Sequence, residues 1–189
     1  LDEAIQHLEL SAKIDSISPG TCLNLASAYY QRKNYQKAIR NGMRAVKYNP
    51  EDPKAYSVLG NAYYRVNDFD MAIENLKITI EKKFISDDTY NFLGGAYFGK
   101  QDFLNAIQAF KKAIEMDPKN IGAYSNLGGA YGMIQDYDTA ISTFKKILAL
   151  DSASAQTYYY IGLTYRNKGD ADSAQLFFDT FSRLQDRGK

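Results

Sequence analysis

The chain has 189 residues, 45% of them hydrophobic and 24% charged, with a formal net charge of +1. This composition suits an ordinary folded protein, and a charge so near zero argues against a strongly basic nucleic-acid binder or a polybasic membrane-surface protein. A single cysteine, Cys22, excludes an intrachain disulfide, and a single histidine, His7, leaves too few parts for a His-based metal cluster or a catalytic triad.

No apolar run approaches the length of a membrane span and no leader pattern opens the chain. Membrane insertion is therefore not expected, and the compartment stays open between cytoplasm and periplasm. Leu1 stands where an initiator Met would, which predicts a fragment or a processed chain.

Taken in chain order, residues 1–18 predict one helix, with Ile5, Leu8 and Ala12 among its apolar positions. Residues 19–52 predict two helices. Ser18-Pro19 starts the first, since Pro at the first helical position needs no amide partner, and Asn34 at the break is a good N-cap for the second. Residues 53–86 repeat this, with Asp52-Pro53 at the start and Asp68 at the break. The same pair of helices is predicted over 87–120, 121–154 and 155–189, with breaks at Asp102, Asp136 and Asp170. Pro50 and Pro118 close two of the second helices. Phe84 stands where a third such Pro would fall.

The copies hold register at 34 residues. One column is Leu25, Leu59, Leu93, Leu127 and Ile161. The next residues are Ala26, Gly60, Gly94, Gly128 and Gly162. Three further on stand Tyr29, Tyr63, Tyr97, Tyr131 and Tyr165, and nine beyond those Ala38, Ala72, Ala106, Ala140 and Ala174. The spacing of Tyr56, Leu59, Gly60 and Tyr63 puts all four on one helix face. The small residue in that set predicts close approach of the second helix. Cys22 falls in the column of Tyr56, Tyr90, Tyr124 and Tyr158 and is expected to pack as a small core hydrophobe. His7 is expected at the surface.

Tyr56-x-x-Leu59-Gly60-x-x-Tyr63, followed by Ala72 and Leu76, resembles the tetratricopeptide repeat, and the copies holding Phe110 and Phe144 match best. The resemblance implies an all-α fold, an alpha-alpha superhelix of antiparallel helix pairs. It implies five full repeats at the boundaries above, with residues 1–18 as the second helix of a truncated one. First helices would line the concave face and second helices the convex back. The function implied is a scaffold or adaptor that binds a peptide or helix of a partner protein in the groove, with no catalysis and no cofactor.

Carrying the family's groove over by register gives Asn24, Tyr30, Asn61, Tyr64, Asn91, Phe92, Phe98, Asn126, Tyr160 and Arg166 as the peptide-binding residues. Of all groove positions, Lys54, Arg65, Asp88 and Arg166 alone carry charge. Rings would supply apolar contact and Asn side chains would donate to and accept from a peptide backbone. The cations of a carboxylate clamp, which such proteins use for acidic chain ends, are absent from every three-repeat window.

Two tempting features carry less. The runs Gly94-Gly95 and Gly128-Gly129 lie inside predicted helices and lack the Gly-Lys-Ser/Thr ending of a phosphate loop. Arg32, Lys33, Lys37, Arg40, Arg44 and Lys47 form a basic run without an acid, several of them on a second helix. With no interleaved aromatics for base stacking, a solvated back face is the expectation and nucleic acid is not.

Two other functions remain open: a substrate-docking arm of a larger enzyme, and an assembly factor that self-associates through the array ends. In the last copy the apolar stripe of the second helix turns polar at Gln175 and Ser182. A natural end near Lys189 is therefore expected, with Phe177 against a partner surface rather than in the repeat core. At the other end Ile5, Leu8 and Ala12 are expected to lack their usual partner helix, which would leave that end the stickier of the two.

Overall fold

The structure, a computed structural model, describes residues 5–7 and 18–187, and every secondary-structure element among them is helical. The chain divides into two compact units, Leu1–Lys100 and Gln101–Lys189. The first holds α1 (Pro19–Gln31), α2 (Tyr35–Tyr48), α3 (Pro53–Arg65), α4 (Phe69–Glu81) and α5 (Asp87–Gly99). The second holds α6 (Phe103–Met116), α7 (Ile121–Met133), α8 (Tyr137–Leu150), α9 (Ala155–Lys168) and α10 (Ala171–Arg187).

In unit 1, α1 packs on α2 and α3 on α4; α2 also touches α3, and α4 touches α5. First helices meet as well, α1 with α3 and α3 with α5. In unit 2 each helix packs on the next, from α6 to α10.

The breaks inside the helix pairs come from a short backbone device. The Asn34 side chain accepts from the Lys37 amide at 3.2 Å, Asp68 from Met71 at 3.3 Å, Asp136 from Thr139 at 3.2 Å and Asp170 from Ser173 at 3.0 Å. Each capping residue also belongs to the helix before it. The Asn34 amide donates to the Tyr29 carbonyl at 2.9 Å and the Lys33 amide to Tyr30 at 2.9 Å. These are the two bonds of a Schellman motif, which needs a left-handed residue between them. That residue is Lys33 (φ 60°), Asn67 (φ 61°), Gln101 (φ 62°), Gln135 (φ 63°) and Gly169 (φ 91°), a further column at the repeat length. Only one of the five is glycine, so four breaks hold a side chain in a conformation that costs about 1–2 kcal/mol per residue. The same motif closes α4 in place of the missing proline: Lys83 takes φ 60° and the Phe84 amide donates to the Thr79 carbonyl at 3.1 Å.

Ser18 and Asp52 differ. Asp52 caps α3 by accepting from the Lys54 amide at 2.9 Å, whereas the Ser18 hydroxyl makes no capping bond.

The seams of three helix pairs, α3–α4, α7–α8 and α9–α10, rest on the small column. A Cβ on Gly60 would stand 2.6 Å from Leu76, on Gly128 2.6 Å from the Phe144 ring, and on Gly162 2.8 Å from the Phe178 ring. Large side chains of the second helix therefore ride directly on first-helix backbone. Ala38, Ala72, Ala106 and Ala140 are fully buried. In unit 1 the core gathers Leu25, Tyr29, Ala38, Ile39 and Leu59; in unit 2, Ala140, Ile141, Phe144, Ile147 and Ile161. Removing a large apolar side chain from water contributes about 1.5–3 kcal/mol. Cys22, 2% exposed, packs with Ala45 and Ala55 as a core residue.

Two end residues depart from expectation. Ile5 is 4% exposed and lies in the core with Leu25 and Tyr29, so the helix that follows covers it. Leu8, Ala12 and Lys189 lie outside the described residues. Phe177 is not turned out: its ring stacks on Tyr165 at 5.5 Å and tilts against Tyr158 at 6.0 Å, beside the unit 2 core. The same column in earlier copies holds Asn41, Asn75, Ala109 and Thr143, all small or polar and all buried. A large ring at that position folds back onto its own first helix, and α10 turns Leu176 outward instead, 62% exposed.

Candidate functional site

The first-helix side of unit 1 carries the densest cluster of expected site residues. Tyr30 ends α1, Tyr64 and Arg65 end α3, and Phe92 and Phe98 lie on α5. The Arg65 Nε donates to the Tyr30 hydroxyl at 3.3 Å. Its guanidinium carbon lies 5.4 Å from the Phe92 ring centre and 5.9 Å from that of Tyr64. Tyr64 and Phe92 meet edge to face at 5.4 Å. Side chains of three consecutive first helices are thus linked through one cation, by a hydrogen bond to Tyr30, by positive charge beside two rings and by the edge of one ring on the face of another. The hydroxyl contact holds the Arg65 guanidinium above its already high range, against the opposing pull of burial.

Glycines let these rings sit low. A Cβ on Gly95 would stand 2.9 Å from the Tyr64 ring, and one on Gly99 would run into the ring of Phe69. Tyr64 and Phe69 tilt together at 6.2 Å. The result is an open cleft floored by α5 backbone and these two rings, with Phe98, Arg65 and Asn67 around it.

Asn24 is exposed on α1, while Asn61 and Asn91 are half-buried. The Asn61 Oδ1 is buried and accepts no hydrogen bond from any described residue. In unit 2, Asn126 and Arg166 are exposed. Tyr160 is half-buried and stacks on the core ring of Phe144 at 5.6 Å, so it also takes part in packing. Arg166 lies 6.0 Å from the Phe178 ring. The ten residues are therefore not one cluster: Tyr30, Tyr64, Phe92 and Phe98 surround Arg65 in unit 1, and Asn126, Tyr160 and Arg166 belong to unit 2.

Arg65 and Phe69 are among the residues of the unit 1 cleft that fall outside those ten. Arg65 was legible as a groove cation. Phe69 was legible too, because Tyr35, Phe69, Phe103 and Tyr137 form another aromatic column directly after the N-caps.

His7 is exposed and Cys22 is buried. Among the described residues no group of three His, Cys, Asp or Glu side chains is placed to hold a metal ion. No described helix is long and apolar enough to cross a membrane.

A family profile described as TPR repeat matches residues 26–67 and 94–135, and one described as tetratricopeptide repeat matches 121–154 and 155–185. No curated protein is similar enough in sequence to count as a relative. Among solved structures, a MamA protein is 25% identical, with a TM-score of 0.81 over 89% of this chain and 92% of that one. MamA from Desulfovibrio magneticus RS-1 is 17% identical, with a TM-score of 0.83 over 89% of this chain and 96% of that one. YrrB, described as a TPR protein with an unusual peptide-binding site, is 18% identical, with a TM-score of 0.79 over 94% of this chain and 92% of that one.

Proposed function

This chain belongs to the tetratricopeptide repeat family, and we propose that, as a protein–protein interaction scaffold, it holds an extended peptide or a helix of its partner on the first-helix faces of its units. The cleft of unit 1 carries this reading. There Phe98 and Tyr64 stand half out of water beside a helix backbone that has no side chains at Gly95 and Gly99. Half-exposed rings lining an open cleft favour a ligand with apolar side chains. Exposed amides such as Asn24 supply donors and acceptors for it. That YrrB, which shares the fold, is described with a peptide-binding site supports a peptide as a ligand such an array accepts.

The reading assigns no catalytic step, no cofactor, and neither nucleic acid nor membrane as partner. Its test begins with capture of the partner from the native source by the full chain and its identification by mass spectrometry. Phe98→Ala is then expected to weaken that partner by about 1–3 kcal/mol, the range of interface hot spots. Undiminished affinity in Phe98→Ala would overturn the reading.

A further inference from the structure

Arg65 is held in place yet unneutralised. Its Nε is committed to the Tyr30 hydroxyl, and its guanidinium carbon lies 5.4 Å from the Phe92 ring centre and 5.9 Å from that of Tyr64. Among the described residues no carboxylate stands within ion-pair distance of it and no acceptor takes its two Nη groups. Asp70, an acid of α4, is paired with Lys100. A guanidinium has five donors in a fixed fork. With Nε used, the end-on pair of Nη groups remains, which matches the two oxygens of one carboxylate.

We propose that the unit 1 cleft is a subsite for an internal acidic residue of a partner chain, Asp or Glu, next to an aromatic or large aliphatic one. This rests on the groove reading above and names its chemistry. The acidic side chain forks onto the Nη groups of Arg65. The apolar neighbour lies in the hollow beside Phe98, on the Tyr64 and Phe69 rings that Gly95 and Gly99 admit.

Three features favour this occupant. The anchor is already ordered by the Tyr30 bond and two ring contacts, so little side-chain freedom is lost on binding. The charge it offers is single. Lys54, the other cation of this face in unit 1, starts the helix that Arg65 ends, about 16 Å away at 1.5 Å per residue. One fork meets one carboxylate, which suits a side chain within a passing segment better than a chain end flanked by further acids. The hollow beside the fork is lined by rings and bare backbone, so the adjacent residue has apolar area to cover.

The test uses the full chain and a set of acetylated, amidated seven-residue peptides whose central pair joins Phe, Tyr, Leu or Met to Glu, Asp, Gln or Asn. Affinities are read by fluorescence anisotropy. Wild type is expected to bind Glu or Asp peptides about tenfold or more tighter than their Gln or Asn counterparts. That preference should shrink as salt rises from about 0.05 M to about 0.5 M. Arg65→Gln should reduce the preference to near one, and Arg65→Lys should keep part of it, because the charge remains while the fork is lost. Helical circular dichroism and melting checked on each variant separate loss of binding from loss of fold. Absence of an acid preference in wild type, or its survival in Arg65→Gln, overturns the proposal. If peptides bind without that preference and Phe98→Ala abolishes the binding, the groove reading stands and the Arg65 subsite falls. If none of the peptides binds, both fall.

Discussion

In unit 1 the glycines of the first-helix face are seats: Tyr64 lies on Gly95 and Phe69 on Gly99. In unit 2, Gly129 occupies the column of Gly95, yet a Cβ there would meet nothing within 4 Å, and the same holds at Gly132. The rings of unit 2 gather instead on its last two helices, where Tyr159 stands 5.8 Å from Phe178 and 5.2 Å from Phe181. Register fixes which side of a helix a residue occupies. It does not fix what lies over that residue, and identical glycines consequently differ in role.

The largest effect expected from this contrast comes from adjacent glycines of α7. Gly128→Leu drives a side chain into Phe144 and should cost about 1–3 kcal/mol, the range of overpacked cores. Gly129→Ala has open space and better helix propensity, so it should stabilise by about 0.5–1 kcal/mol. Thermal melts giving both substitutions the same sign would break the distinction between seat and open backbone.

The same comparison ranks two rings of unit 1. Tyr64 covers Gly95 and meets both Phe92 and Phe69, so Tyr64→Ala should cost about 1–3 kcal/mol of fold stability. Phe98→Ala should cost less than half as much while lowering partner affinity. Urea unfolding beside binding measurements checks the order, and a reversal would place Phe98 in the core and Tyr64 in the groove.

A smaller effect belongs to the breaks. Gln135→Gly should stabilise unit 2 by about 1 kcal/mol by relieving the left-handed residue. Gly169→Ala should lose a similar amount in the same unit. Equal melting of both variants and wild type would mean that these turns adjust at no cost.

The smallest concerns the ion pairs between neighbouring copies. Lys100 bonds Asp70 and Lys168 bonds Asp138, two repeat lengths apart. At the copy between them register puts Ile134 opposite Leu104, 40% and 71% exposed. The double change Leu104→Asp with Ile134→Lys should recreate the pair and shift stability by no more than about 1 kcal/mol, as exposed pairs do. A double-mutant cycle with no coupling would show that the two positions do not face each other.

Much of this was legible in the sequence. Leu59, Gly60, Tyr63 and Ala72 revealed the pairing because a 34-residue period and a helical period must both be satisfied by one seam. Asn34 and Asp68 revealed the breaks through cap chemistry. The left-handed residue ahead of each cap was missed because Lys33, Gln101 and Gln135 do not advertise that conformation; Gly169 and Asn67 in the same column were the signal. Phe177 was misplaced because its column is polar or small elsewhere, and a pattern carried from earlier copies says nothing of a ring that folds back on the first helix of its repeat. The groove was legible as a set of columns, but the linkage of Tyr30, Arg65 and Phe92 depends on rotamers that spacing does not specify.

The breaks carry a consequence of another kind. Asn34, Asp68, Asp136 and Asp170 each close one helix and start the next, so no spare residue separates the two. One residue inserted there would turn the second helix by about 100° and advance it about 1.5 Å, carrying the buried alanine off the seam. The connections between copies are not doubly used in this way, and they already differ, from Asn49–Asp52 to Lys82–Ser86. Length variation in such a chain should therefore collect at the joints between copies and spare the hairpins, as if reading frame were enforced within each repeat and relaxed between them.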